Sequence, residues 1–194
     1  MTDQPEPRPV RIGKTILRWS VFAAGLVLSV HAAAWTGSGA YLPYVSIRHV
    51  YDFDPPLVPL WHWDEMALCV ASIILLTGAS RWRVGRVNIG QIIGAVWMGL
   101  WTLFFTFLNY AFQFPGGDDL DPCVRPNCWP AGVAEPLEAA PLLIACVAMT
   151  VVAFWATRLN WAMRALIPAV VYLLARVIQV LIWVPVVIPF LANP

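Results

Sequence analysis

Residues 87–112 read VNIGQIIGAVWMGLWTLFFTFLNYAF and contain no charged side chain. A helix needs roughly 20 mostly apolar residues to cross the hydrocarbon core of a bilayer, so this stretch is long enough to span a membrane. The whole chain fits that interpretation, because it is 60% hydrophobic and 12% charged, with a mean hydropathy of +0.69. Soluble domains carry about 25% charged residues. The sequence therefore predicts an integral membrane protein.

Four more apolar stretches have the length of membrane-spanning helices. We predict an all-α bundle of about five transmembrane helices, forming a single domain at residues 15–194 after a polar, Pro-rich cytoplasmic tail at residues 1–14. The predicted helices cover residues 16–35, 64–80, 87–112, 137–157 and 163–184, with large external loops at 36–63 and 113–136. The charged start also resembles a signal peptide, but the first apolar stretch is longer than a typical signal core, so we interpret it as a membrane-spanning helix.

Basic residues are distributed unequally between the two sides of this bundle. Nine fall on one side, namely Arg8, Arg11, Lys14, Arg18, Arg81, Arg83, Arg86, Arg158 and Arg164. Only Arg48 and Arg125 fall on the other side. Because basic residues close to a span resist translocation, the asymmetry predicts a cytoplasmic N-terminus and an external C-terminus. The expected location is the inner (plasma) membrane of a bacterial-type cell, with the protein crossing it several times.

Arg176 lies inside the last predicted helix, where a charge is costly and usually has a partner. Helical spacing places Tyr172, Arg176 and Gln179 on one face. Other polar residues are expected at the same outer level, namely His31, Glu65 and Glu138. These six residues form a predicted outward-facing ligand-binding pocket, with an ion pair from Arg176 to Glu138, or else to Glu65. Two alternatives stay open: Arg176 snorkels to the headgroups, and the acids merely favour helix N-termini.

Cys123 and Cys128 lie in the external loop as CVRPNC. An oxidising compartment permits a disulfide there, and the turn-forming residues between the two cysteines allow the small loop to close. The sequence therefore predicts a structural disulfide, which would keep both thiols from alkylation until reduction. Cys69 and Cys146 lie within predicted helices and are expected to be small, inert core residues.

No motif in the chain names a reaction or a cofactor. The Walker loop, G-x-S-x-G, H-E-x-x-H and the dinucleotide fingerprint are all absent. His31, His49, His62, Asp64 and Glu65 are suitable metal-ligand types, but they follow no recognised spacing. The sequence predicts no metal, no cofactor and no catalytic residue. No segment is basic and aromatic enough to indicate nucleic acid, so the expected partners are the lipid bilayer and other membrane subunits.

The last two predicted helices, from Glu138 through Trp155 to RALIPAVVYLLARVIQVLIW, resemble the end of the tryptophan-rich sensory (translocator) proteins, as does the segment DPPLVPLW. Val170, Tyr172 and Arg176 also fit a proposed cholesterol pattern, which is common by chance. This resemblance implies a porphyrin or sterol-type ligand as a distant alternative. It covers less than half the chain, and the Asn-Trp pattern of that family's third helix is absent, so we do not assign the chain to it.

Three classes of function are compatible with the sequence. The first, which we expect, is a polytopic, non-catalytic membrane protein acting as an accessory subunit. The second is a small-molecule binder or transporter that uses the polar pocket around Arg176. The third is a membrane enzyme that acts at the outer face with His62, Asp64 and Glu65.

Overall fold

A computed structural model describes residues 8–37, 63–113, 131–179 and 181–182. Within these residues the chain forms five helices and one short hairpin. The helices are α1 (Arg8–Gly37), α2 (Trp63–Ala79), α3 (Ile89–Gln113), α4 (Ala131–Phe154) and α5 (Trp161–Ile178), and the strands are β1 (Arg83–Val84) and β2 (Val87–Asn88). The described fold is therefore helical, as predicted.

Three helices are long and apolar enough to cross a membrane. They are Ile12–Thr36 in α1, Ile89–Leu108 in α3 and Trp161–Ile178 in α5. The apolar part of α4, Ala139–Phe154, is shorter, and α2 has 17 residues. The prediction of a membrane protein is thus supported by three helices, while the number of five spans stays a prediction.

The helix boundaries differ most from those predicted at the starts of the first and fourth helices. The first helix begins at Arg8, so residues 8–14 of the predicted tail are helical. Pro9 lies in the first turn, where its missing N–H and fixed φ angle do not disturb a helix. The fourth helix begins at Ala131, inside the predicted loop 113–136. The fifth is α-helical to Ile178 and π-helical at residues 179 and 181–182, and its predicted end at residue 184 lies outside the described residues.

The basic turn between α2 and α3 is a two-residue β-hairpin. Val84 pairs with Val87, and Arg83 pairs with Asn88. Gly85 has a φ angle of 61°, a conformation that glycine adopts without steric cost. The hairpin reverses the chain between residues 80 and 89, so α2 and α3 run antiparallel.

A second tight reversal joins α4 to α5. A turn follows Phe154, and the Arg158 amide donates to the carbonyl of Trp155 at 2.9 Å. Asn160 then caps α5, because its side chain accepts a hydrogen bond from the amide of Met163 at 2.7 Å. Asparagine is among the preferred N-cap residues. The short connection makes α4 and α5 an antiparallel hairpin.

The five helices close into a ring. The first helix packs against α2 and α3, α4 packs between α3 and α5, and α5 returns to α2. The interior contains fully buried apolar side chains from four helices, including Ile73, Leu76, Met98, Leu142 and Met149. Large apolar side chains also cover the outside of α3, among them Trp97, Leu100 and Phe107. An apolar exterior of this kind suits a lipid environment.

The ring has two chemically different ends. Arg18 near the start of α1, Arg81 after α2 and Gly90 at the start of α3 line one groove. Arg164, at the start of α5, interacts electrostatically with Arg81 and Arg83. We call this the basic end. At the opposite end, which we call the ion-pair end, the first turn of α2 meets the last turn of α5.

Candidate functional site

A buried ion pair lies at the ion-pair end. Arg176, in the last turn of α5, points its NH2 atom at Oε2 of Glu65, in the first turn of α2, at 3.4 Å. Its NH1 atom donates a hydrogen bond to Oε1 of Gln179 at 2.7 Å. The side chain of Glu65 is 2% exposed and that of Arg176 is 14% exposed. An opposite charge and an amide therefore hold the arginine inside the bundle.

The helical repeat of α5 explains why these groups meet. Arg176 and Gln179 are three residues apart, a spacing that makes side chains neighbours on a helix. Tyr172 lies one turn before Arg176 and is 1% exposed. On α2, Cys69 is four residues after Glu65 and is fully buried. The inward face of α5 thus meets the inward face of α2 at a single polar site.

Tyr172 and Cys69 complete this ion-pair cluster, which consists of Glu65, Cys69, Tyr172, Arg176 and Gln179. The thiol of Cys69 and the hydroxyl of Tyr172 interact with each other and with the charges of Glu65 and Arg176. The Tyr172 hydroxyl and the Nε atom of Arg176 are buried without a hydrogen bond of normal geometry to any described residue. The Nε atom of Arg176 could donate a hydrogen bond to a small polar ligand, and the Tyr172 hydroxyl could donate or accept one.

The structure brings together four of the six residues predicted for the pocket, Glu65, Tyr172, Arg176 and Gln179. His31 is an exposed residue of α1. Glu138 belongs to α4, but its side chain lies outside the part of the chain that the structure describes. The prediction that Arg176 pairs with an acidic residue is confirmed for Glu65, which was the second choice of partner. The first choice, Glu138, cannot be compared with the structure, because its side chain is not described.

Cys69 was not predicted to take part in the cluster. The sequence predicts only an inert core thiol, and the residue is indeed buried. The signal was present in its spacing, because residues four apart share a helix face and Cys69 follows Glu65 by one turn.

The ion pair limits the chemistry that the cluster can do, since the Glu65 carboxylate, which an outer-face enzyme would use, is held by Arg176. Asp64 beside it is exposed.

A second polar network lies near the basic end. The Ser80 hydroxyl donates to Oδ1 of Asn88 at 2.7 Å, and the Asn88 amide donates to the Ser80 carbonyl at 3.1 Å. The side chain of Gln91 donates to the backbone carbonyl of Met149 at 2.8 Å. All three polar side chains are buried. This network joins the end of α2 to α3, and α3 to α4.

Arg164 is a buried cation at the basic end. Its residue is 5% exposed, and its Nε and NH1 atoms have no hydrogen-bond partner within the described ranges. The sequence predicts it only as one of nine basic loop residues. The helical spacing from Arg164 through Pro168 and Tyr172 to Arg176 would have placed it on the inward face of α5.

The predictions for the cysteines and for metal ligands can be compared with the structure only in part. The predicted disulfide between Cys123 and Cys128 lies outside the described residues. Cys69 and Cys146 are free thiols, and both are buried. Within the described ranges, no three His, Cys, Asp or Glu side chains gather in a way that could hold a metal ion.

Comparison of the chain with protein-family models, with curated proteins and with solved structures gives no match.

Proposed function

We propose that the protein is a non-catalytic, multi-pass membrane protein that acts as an accessory subunit of a membrane complex. The observation that carries the proposal is the pairing of Arg176 with Glu65 and Gln179. These groups neutralise and hydrogen-bond one another, and they join α2 to α5. Polar side chains inside membrane bundles commonly link helices in this way, so the cluster is explained by assembly of the bundle rather than by turnover.

Two more contacts between helices support a structural use of polar groups. The Gln91 side chain donates to a backbone carbonyl of α4, and Nε1 of Trp97 donates to the Leu26 carbonyl of α1 at 3.1 Å. Several serine and threonine hydroxyls donate to carbonyls of their own helices, for example Thr77 to Ile73 at 2.7 Å. The polar atoms of the bundle are thus mostly committed to contacts within it.

The proposal includes five spans, a cytoplasmic N-terminus and an external C-terminus. The 17 residues of α2 rise over roughly 25 Å at about 1.5 Å per residue, somewhat less than a bilayer core of about 30 Å. The shorter helices α2 and α4 pack in the same ring as the three longer ones. Neighbouring helices in such a ring cross the bilayer together, and tryptophans near the helix ends suit its interfaces.

The outer face of α3 offers a surface for a partner subunit. Its aromatic rings contact one another, with Trp101 and Phe105 stacked at 5.6 Å and Trp97 and Trp101 edge to face at 5.7 Å. Rigid aromatic rings lose little conformational entropy when a second surface packs on them. Lipid chains occupy such a face where no partner is present.

Native mass spectrometry of the protein extracted in mild detergent tests this function. We expect the full chain to be part of a complex of fixed stoichiometry with at least one other membrane protein. The test variant is Phe107→Ala, because Phe107 lies on the exposed face of α3. The control is Arg158→Ala, because Arg158 lies in the turn after α4. Loss of the partner only in the first variant would place the interface on α3.

Two results would contradict the proposal of an accessory subunit. A chain that is always isolated alone, with a stoichiometric small molecule bound, would exclude an accessory role. A measurable turnover that disappears in Glu65→Gln would indicate the outer-face enzyme instead.

The second candidate function is that of a small-molecule binder at the ion-pair cluster. The buried Tyr172 hydroxyl and Arg176 Nε, which make no hydrogen bond of normal geometry to a described residue, favour it. A ligand with a small polar group could satisfy both atoms. Thermal stabilisation by such a ligand should vanish in Arg176→Ala and in Tyr172→Phe, and it should persist in Arg158→Ala.

A further inference from the structure

A half-open groove of about 680 Å³ lies at the basic end, between α1, α2 and α3. Its walls include Trp19 and Phe22 of α1, Ile93 of α3 and Trp82. Arg18 and Arg81 also line it, and both are exposed. Ligand sites usually enclose about 300–1,000 Å³, so the groove has the size of a binding site. Its lining combines an apolar, aromatic surface with two cations.

The charge around the groove is positive and is not balanced by nearby described acids. Arg81 interacts electrostatically with Arg164, whose Nε and NH1 atoms are buried without a partner among the described residues. The acidic residues of the described ranges all lie near the starts of α2 and α4, at the opposite end, and they are Asp64, Glu65, Glu135 and Glu138. The basic end is therefore complementary to an anion.

The position of the aromatic residues indicates that the anion belongs to a lipid. Trp19 and Trp82 are 59% and 55% exposed, and tryptophan is favoured at the headgroup level of a bilayer. Phe22 lies one turn further into α1, and Ile93 lies one turn into α3. A molecule that fills the groove would thus contact cations near the helix ends and apolar side chains closer to the middle of the bundle.

We propose that this groove binds an anionic phospholipid. The phosphate lies between Arg18 and Arg81, and one acyl chain packs against Trp19, Phe22 and Ile93. Arginine is well suited to phosphate because its planar guanidinium can donate two parallel hydrogen bonds. Basic pockets between membrane helices on the cytoplasmic side bind anionic headgroups by the same physics. The site is separate from the ion-pair cluster, and its occupancy does not depend on the accessory role.

The test uses the full-length protein, stripped of lipid in a neutral detergent. Phosphatidylglycerol and phosphatidylcholine with identical acyl chains are titrated, and bound lipid is counted by native mass spectrometry. We expect phosphatidylglycerol to bind with a stoichiometry of one and to raise the melting temperature, while phosphatidylcholine does neither. Arg18→Gln with Arg81→Gln should weaken the binding about fivefold for each arginine, or about 25-fold together.

The matched control removes two charges elsewhere at the same end. Arg86 lies in the hairpin turn and Arg158 in the turn after α4, and both are exposed. Arg86→Gln with Arg158→Gln should leave the affinity for phosphatidylglycerol nearly unchanged. An equal loss in both double variants would overturn the proposal, because it would reduce the effect to general surface charge.

A second pair of variants tests the apolar part of the site. Ile93→Trp places a larger side chain in the groove and should abolish binding, whereas Val96→Trp lies on the exposed face of α3 and should retain it. The melting temperature of each variant without lipid shows that it is folded. Equal binding in the two variants, or displacement of the lipid by inorganic phosphate at the same concentration, would overturn the proposal. The latter result would identify a site for free phosphate.

Discussion

Arg176 shows how a single charge is kept inside an apolar bundle. Its guanidinium is 3.4 Å from the carboxylate of Glu65, and the Gln179 amide oxygen accepts its other hydrogen bond. Removing both charges from water is costly, and their mutual attraction returns most of that cost only when the geometry is good. The pair therefore contributes to the specificity of helix packing, because only one rotation of α5 about its axis brings Arg176 to Glu65.

Replacing Arg176 by alanine should destabilise the protein clearly. The change leaves Glu65 buried and unpaired, which costs about 3–5 kcal/mol. Adding Glu65→Gln should recover part of this loss, since the orphaned charge is then gone. The free energy of unfolding, measured by denaturant titration in detergent micelles, checks both variants.

Arg158→Ala is the control for the loss of one positive charge, because Arg158 is exposed in the turn between α4 and α5. Its effect should stay within about 0.5 kcal/mol. A mild effect of Arg176→Ala, with a double variant that is merely additive, would show that the arginine only snorkels to the headgroups.

At the scale of the elements, glycines set the distances between helices. Leu76 of α2 lies between Gly25 of α1 and Gly94 of α3. A Cβ atom at Gly94 would lie 3.2 Å from Cβ and Cδ2 of Leu76, and one at Gly25 would lie 3.2 Å from Cδ2 of Leu76. Small residues at such contacts let membrane helices approach closely. The close packing of α1, α2 and α3 therefore depends on glycine, which has no side chain, at positions 25 and 94.

Gly94→Val should lower the free energy of unfolding by about 1–3 kcal/mol, the usual cost of inserting extra methyl groups into a packed core. Gly99→Val is the matched control, because a Cβ atom there meets Cys146 only at 3.9 Å. Both variants change the helix propensity of α3 in the same way, so the difference between them isolates the contact with Leu76. Equal stabilities would show that α2 and α3 are not in contact at Gly94.

At the scale of the whole molecule, most basic residues of the described ranges lie at one end, and the acidic residues lie at the other, where Arg176 pairs with Glu65. Arg18 lies in the N-terminal half of α1, Arg81 follows α2 and Arg164 lies in the first turn of α5, and the three gather at one end. Glu65 lies at the start of α2, at the other end. The same separation, from which the positive-inside rule predicts the orientation, places the groove and the ion-pair cluster at opposite ends.

Fusion reporters test the orientation. A reporter fused after Pro194 should be active outside the cytoplasm, and one inserted between Arg81 and Arg86 should be active only inside it, because nine basic residues favour retention of that side. A reporter in the loop after α1 provides the matched external control. A cytoplasmic C-terminus would mean that the number of spans is even, and the 17-residue α2 would be the first helix to reconsider.

The class of the protein and the approximate place of its helices were determined by the sequence alone. Charge-free apolar stretches such as residues 87–112 are long enough to predict membrane helices, and this signal is local. The tight links after residues 80 and 154 are set by an equally local signal, since turn residues act over a few positions. The spacing of Tyr172, Arg176 and Gln179 correctly placed them on one face.

Only the tertiary structure decided which helices touch. The contact between Arg176 and Glu65 depends on α5 packing against α2, which the order of the helices along the chain does not reveal. The groove between α1, α2 and α3 and the burial of Arg164 depend in the same way on contacts between distant segments. Helical periodicity fixes the face on which a side chain lies, but the helix that covers this face is set by packing of the whole ring, which no short stretch of sequence contains.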